Sequence, residues 1–190
     1  MTTSETVAAN RFTDTFGCPA ERTAKKVKDH MTPYVQEFIK SSPFAVMATS
    51  DPEGRCDASP KGGKPGFVKV LDERRLLFPD VAGNKLFQSY QNMDANPHIG
   101  LVFMIPGVND TVRVNGRVSI VEKADLDRLD VEVALYDPDD RSHHLQGIII
   151  EVEESYGHCP RAYTFSRLWD VETITANQAQ RPIADRSTNV

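Results

Sequence analysis

Apolar residues recur along this chain in short alternating runs broken by turn residues, the pattern of half-buried strands. Phe44–Ser50 (FAVMATS) predicts a strand, Asp51-Pro52-Glu53-Gly54 a turn, and Cys56–Ser59 the returning strand of a hairpin. Gly66–Leu71 and Arg75–Phe78 flank a short charged turn and predict two more strands. Ile99–Ile105 and Thr111–Val121 follow, separated by Pro106-Gly107-Val108-Asn109-Asp110, and Gln146–Val152 predicts a last long strand. In the Thr111 strand, Val112 and Val114 alternate with Arg113 and Asn115 until Gly116 interrupts them, which marks a bulge or a barrel corner. Phe103 and Met104 read as barrel or dimer core.

Helical spacing is rarer. Thr32 caps a helix that opens on Pro33, buries Tyr34, Val35, Phe38 and Ile39, and ends near Ser42-Pro43. Leu126, Leu129 and Val133 predict a second helix over Ala124–Leu135, before a PDDRSHH loop. Residues 1–15 are small and polar, and residues 173–190 have almost nothing to bury, so both ends are expected to be mobile around one domain spanning 16–172. Six or seven short, mostly antiparallel strands with few helices predict a mainly β fold, a barrel flanked by short helices.

Between Arg74 and Pro97 an apolar strand (Leu76, Leu77, Phe78) meets a Pro79-Asp80 turn, and Gly83-Asn84-Lys85 is expected to open a helix over Asn84–Asn92. Free N–H groups at such a start, with a lysine beside them, suit an anion. The competing reading is a solvated Lys85 on an ordinary strand–turn–helix unit.

Composition narrows the partners. Lys and Arg number 22 against 27 Asp and Glu, a formal charge of −5, so no global basic field exists to hold nucleic acid. No apolar run approaches the roughly 20 residues that cross a bilayer, and the start lacks the order of a secretory signal, which predicts a cytoplasmic protein with no membrane partner. Cys18, Cys56 and Cys159 are odd in number and widely spaced, which predicts reduced thiols. His158-Cys159 and His143-His144 find no second pair at zinc spacing, so no metal site is expected.

Five motifs stand in order: ATSDPEGRCDASPKG on the first hairpin, FPDVAGNK, Asn96-Pro97, TVRVNGRV, and HCPRAYTFSRLWD near the end. In that order they resemble the flavin-binding split-barrel family that includes pyridoxamine 5′-phosphate oxidase, over roughly Phe38 to Asp170. SPKG, PGFV, FPDxxGNK and HCPxA…SRLWD together are most similar to its branch of FMN-dependent enzymes without an assigned substrate. The resemblance implies an FMN-binding split barrel, a homodimer with each flavin at the subunit interface, and an oxidoreductase acting on a small organic molecule or drawing on a reduced nicotinamide.

It also implies a set of cofactor-binding residues. Asn84 and Lys85 match the phosphate-binding Ser-Arg-Lys of the oxidase, but Gly83-Asn84 replaces Ser-Arg, so the bidentate arginine is missing and Lys61 or Arg113 must supply the second positive charge. Ser59 and Lys61 fall on the flavin-contacting strand, for ribityl and phosphate contacts. Phe78, Pro79 and Asp80 line the ring edge, and Thr111 replaces the oxidase's glutamine. Trp169 can pack over the ring, and Arg167 can stabilise negative charge near N1 of the reduced flavin or hold an anionic substrate. The oxidase carries SRLHD where this chain has SRLWD, and losing that histidine argues against a vitamin B6 substrate. Phe165, in place of the branch's usual arginine, points to a more apolar pocket.

Blander readings stand beside these. Trp169 can be a lid on the core, Arg113 and Arg117 can face solvent, Asp57, Asp80 and Asp139-Asp140 can be turn formers, and His158 is either a proton donor or a satisfied, partly buried histidine. Catalytic residues are otherwise unassigned, with His158 and Arg167 as candidates. Two other function classes stay open: a binding module that carries a flavin, F420 or heme without turnover, and a cofactor-free dimeric interaction protein.

Overall fold

The computed structural model of the chain describes residues 10–81, 87–140 and 142–184. Among them seven strands form one antiparallel sheet: β1 (Phe44–Ser50), β2 (Cys56–Gly62), β3 (Lys69–Val70), β4 (Arg75–Val81), β5 (His98–Met104), β6 (Thr111–Glu122) and β7 (His144–His158). Their spatial order is β2-β1-β5-β6-β7-β4-β3. Alternation decides which face is buried. Ala45 and Met47 of β1, Leu101 and Phe103 of β5, and Val112 and Val114 of β6 are all at most 1% exposed on one face, while their neighbours point the other way. Ile148 and Ile150 of β7 and Leu76 and Phe78 of β4 join the same core.

A helix, α3 (Pro33–Ser41), closes this core with Val35, Phe38 and Ile39. It starts where expected, with Pro33 in first position and the Val35 amide donating to Thr32 Oγ1 at 3.4 Å. Preceding it are α1 (Arg11–Phe16), with a reciprocal Asn10–Thr13 capping box, and α2 (Glu21–Ala24). Later helices are α4 (Gln88–Ala95), α5 (Lys123–Arg128), α6 (Arg161–Ser166) and α7 (Val171–Ala179). None of α1, α2, α6 and α7 contains a buried residue, and α1 and α7 run across the expected boundaries at 15 and 173. No helix among the described residues is long and apolar enough to cross a membrane.

The sheet is open, not a closed barrel. It nonetheless coils until Lys61 of β2, first in the order, reaches Asp80 of β4, sixth in the order, with Nζ 3.5 Å from Oδ1. Gly116 carries the expected bulge: the β6–β7 register shifts between Asn115 and Gly116, and a Cβ at Gly116 would collide with the Glu151 carbonyl.

Several expected boundaries move for local reasons. The helix after β4 begins at Gln88, not Asn84, because Phe87 takes the left-handed region at φ 52°. The strand expected over Gly66–Leu71 shrinks to β3, since Gly66 sits at φ 78° in a turn closed by the Phe67 amide donating to the Lys64 carbonyl. The helix expected over Ala124–Leu135 stops at Arg128, with Asp130 left-handed at φ 50°. His144, placed in a loop by the sequence, is buried and opens β7, which runs on to His158.

Candidate functional site

The sequence-selected residues fall into two groups. The first surrounds the approach of β2 to β4. Alternation along β2 turns Asp57, Ser59 and Lys61 to the half-buried side and Ala58, Pro60 and Gly62 to the exposed side. Lys61, half-buried, pairs with Asp80, which stands opposite Gln146 of β7 and beside Tyr90 of α4. Burial first, and then the Asp80 charge, push the Tyr90 phenol far above its ordinary value, so it stays neutral. Lys61 and Asp80 edge a small, shallow cleft lined also by Phe67, Phe78, Pro79 and the Val133–Leu135 segment.

Asp80 is therefore a strand residue with an ion-pair partner, not a turn former, and Lys61 already has its charge balanced. Phe78 is 2% exposed and packs edge-on against Phe67 with ring centroids 5.5 Å apart, so its ring belongs to the core. What Phe78, Pro79 and Asp80 can offer a ligand is backbone. Because β3 pairs only with Leu76 and Leu77, β4 beyond them has no strand neighbour among the described residues on the side away from β7, an edge where Pro79 costs no ladder bond. The Val133–Leu135 segment is held over the cleft by the Lys64 amide donating to the Ala134 carbonyl at 2.7 Å. Gly63 permits that approach: a Cβ there would lie 2.5 Å from the Ala134 oxygen.

Ser59 is engaged in seating α4. Its Oγ lies 3.1 Å from both Asp57 Oδ2 and Ser89 Oγ, and Ser89 also donates to Asp57. Asn92 Nδ2 donates to Thr49 Oγ1 at 3.0 Å and Asn96 Nδ2 to the Ser50 carbonyl at 3.1 Å, which clamps the helix onto β1 and β2. Asn84 and Lys85, the expected phosphate ligands, lie outside the described residues, in the segment between Val81 and Phe87.

His144 lines the same cleft. Burial, with the Lys123 ammonium next, holds its imidazole below the ordinary value of about 6.5, and burial followed by Arg113 does the same to His158. Both groups bind protons more tightly once unfolded, so their contribution is present above about pH 6.5 and is lost as pH falls from there to their folded values. Urea midpoints are expected to drop between about pH 7.5 and 5.5, and His144→Gln is expected to flatten that dependence.

The second group centres on the other face of the sheet. Thr111 stands opposite His158 and Met104, and Arg113 opposite Tyr156 and Val102. Arg113 Nη1 donates to the Tyr156 hydroxyl at 3.1 Å with the guanidinium 5.6 Å from the ring centre. The His158 ring packs 4.7 Å from Tyr156, and its Nε2 is buried without a hydrogen-bond partner among the described residues. Trp169 stacks on Tyr163 at 5.8 Å and donates its indole N–H to the Val108 carbonyl at 3.0 Å, so it is no lid on the core. Arg167 is exposed and donates to Asp170 Oδ1 at 2.8 Å; hydrogen bonds from Thr173, with Arg167, hold that carboxyl at about 2.

The two groups face opposite ways across the sheet. Gln146 and His158 sit near opposite ends of β7, roughly 40 Å apart along an extended strand. Lys61 is in cross-strand rank with Ala45, Phe103 and Val112 on the core face, whereas Arg113 is in rank with Val46 and Val102 on the outer face. Sequence reasoning missed Tyr90, Gln146, Phe67 and Tyr156. Tyr156 was recoverable from strand alternation with His158; Tyr90 falls inside the helix expected over Asn84–Asn92, but no spacing marks it as a site residue.

The sequence model of the family described as pyridoxamine 5′-phosphate oxidase matches residues 31–159, which leaves Arg167 and Trp169 outside the match. No curated protein matches the sequence. Among solved structures, a candidate pyridoxamine 5′-phosphate oxidase from Lactobacillus delbrueckii is similar at 19% identity with a TM-score of 0.51, over 68% of this chain and 95% of that one. A HupZ variant from Group A Streptococcus is similar at 18% identity and a TM-score of 0.49, over 67% of this chain and 99% of that one. An F420 reductase is similar at 22% identity and a TM-score of 0.42, over 67% and 98% respectively.

Proposed function

The chain belongs to the pyridoxamine 5′-phosphate oxidase family, and from that premise we propose that it is an FMN-dependent oxidoreductase, a cytoplasmic homodimer with each flavin at the subunit interface, acting on a small organic molecule or using a reduced nicotinamide as donor. The observation that supports this most is the division of the candidate residues into two incomplete groups on opposite faces of one sheet. Two copies meeting across the outer face would bring such a set together. The outer face has the means: Phe44, Val46, Val102 and Met104 form a contiguous, partly exposed apolar patch beside Arg113.

The residues present fit a flavin nucleotide in three respects. The unpaired β4 edge at Phe78–Val81 offers backbone groups to a heterocycle edge. The Asp80 carboxylate, paired with Lys61, offers an acceptor beside it. Because Asp80 already balances Lys61, the phosphate charge falls to Lys85, with Asn84, and to a cation from the partner copy. Bound there, the flavin would supply the electron-pair chemistry. The chain's own residues would orient it, with Val133–Leu135 excluding water from the cleft and Trp169 packing against the ring system.

The test is a purified protein with a flavin absorption spectrum, or one that takes up added FMN, and light scattering that gives a dimer at micromolar concentration. Colourless protein that refuses FMN sinks the cofactor reading, and a strict monomer sinks the shared site. FMN bound but never reduced by NADH or NADPH would leave a carrier rather than a nicotinamide-driven enzyme.

A further inference from the structure

The candidate cations differ in how their charge is met. Lys61 has Asp80 at 3.5 Å, and Arg167 has Asp170 at 2.8 Å with Glu172 at 4.0 Å. Arg113 is half-buried, yet among the described residues it has no carboxylate within ion-pair distance; its partners are the hydroxyl and the ring face of Tyr156. The nearest acidic side chain on the same face of β7, Glu154, accepts instead from Asn115 at 3.3 Å. A half-buried guanidinium without a counter-ion is a costly arrangement, and its free N–H groups form a planar fork suited to an oxyanion.

The surroundings add to this. Tyr156 uses its oxygen to accept from Arg113, which leaves its own O–H to donate. His158 packs tilted beside it, its Nε2 without a partner among the described residues, and both Arg113 and Lys26 act on that imidazole as positive charges. A buried polar atom left without a partner is uncommon in native proteins.

We propose that Arg113 and Tyr156, backed by His158, form an anion subsite on the outer face of the sheet that takes a phosphate or carboxylate group of a bound small molecule. The inference rests on the flavin reading only in placing this subsite within the same dimeric site; the chemistry recognised is an oxyanion, whether it belongs to FMN or to an anionic substrate.

The experiment follows imidazole signals of ¹⁵N-histidine-labelled full-length protein, with His158 assigned by its loss in His158→Gln, during titration with inorganic phosphate. The expected result is a saturable His158 shift that needs about tenfold more phosphate, or more, in Arg113→Met and is weakened in Tyr156→Phe. Repeating the titration on FMN-saturated protein separates the sources. A response abolished by FMN assigns the subsite to the cofactor's phosphate, and a response that survives assigns it to the substrate. No saturable shift in the wild type, or equal phosphate affinity in Arg113→Met and the wild type, overturns the inference. Should Arg113→Met not fold, unchanged affinity in Tyr156→Phe overturns it alone. Phosphate binding without any FMN uptake would instead sink the flavin reading and leave the anion subsite standing.

Discussion

Phe78→Ala is expected to destabilise the protein by about 3–5 kcal/mol, the usual cost of emptying a buried phenylalanine site. The ring is 2% exposed, meets Phe67 edge-on, and lies in the same core as Ile148 and Ile150. Neighbouring β4 and β7 are locked in register by the Phe78↔Ile148 pair and cannot collapse freely into the space, so the cavity term adds to the lost transfer energy. Urea unfolding measures it, and Phe78→Leu should lose far less. A Phe78→Ala midpoint at the wild-type value would mean that the ring is peripheral, and the cleft would then have no fixed floor.

Lys85→Ala is expected to weaken FMN binding by about tenfold to hundredfold, the effect of losing a charge-assisted contact worth about 1.5–3 kcal/mol. Lys85 precedes the first residue of α4, Gln88, so its charge is not needed for that helix, and folding should survive the change. Riboflavin, which lacks the phosphate, supplies the control and should bind wild type and variant alike. Equal losses for FMN and riboflavin would assign Lys85 to the local fold and remove the anion site from the account.

The strands were legible because alternation and turn chemistry agree locally. Phe44–Ser50 is a strand to the residue, and Gly116 interrupts β6 where the pattern breaks. Helix lengths were not, because two of the errors turn on single residues in left-handed conformations, Phe87 and Asp130, which no periodicity encodes. Lys61 and Asp80 were both legible as site residues, but their pairing was not, since it depends on how far an open sheet coils. The site's division had the same origin. Sequence order places Lys61 and Arg113 in one set of motifs, whereas strand rank decides that they face opposite ways.

The central claim is that two copies complete one flavin site, and co-expression of two differently tagged variants tests it most directly. Lys85→Ala removes a ligand from one group and Trp169→Ala from the other, so each homodimer is expected to bind FMN poorly. A heterodimer carrying one of each would pair an intact Lys85 with an intact Trp169 in one of its two sites. The account predicts that co-expressed protein recovers wild-type affinity in about a quarter of all sites, given random pairing of two protomers, and that the recovered sites purify with doubly tagged dimers. Doubly tagged dimers that bind FMN no better than the two homodimers would contradict it.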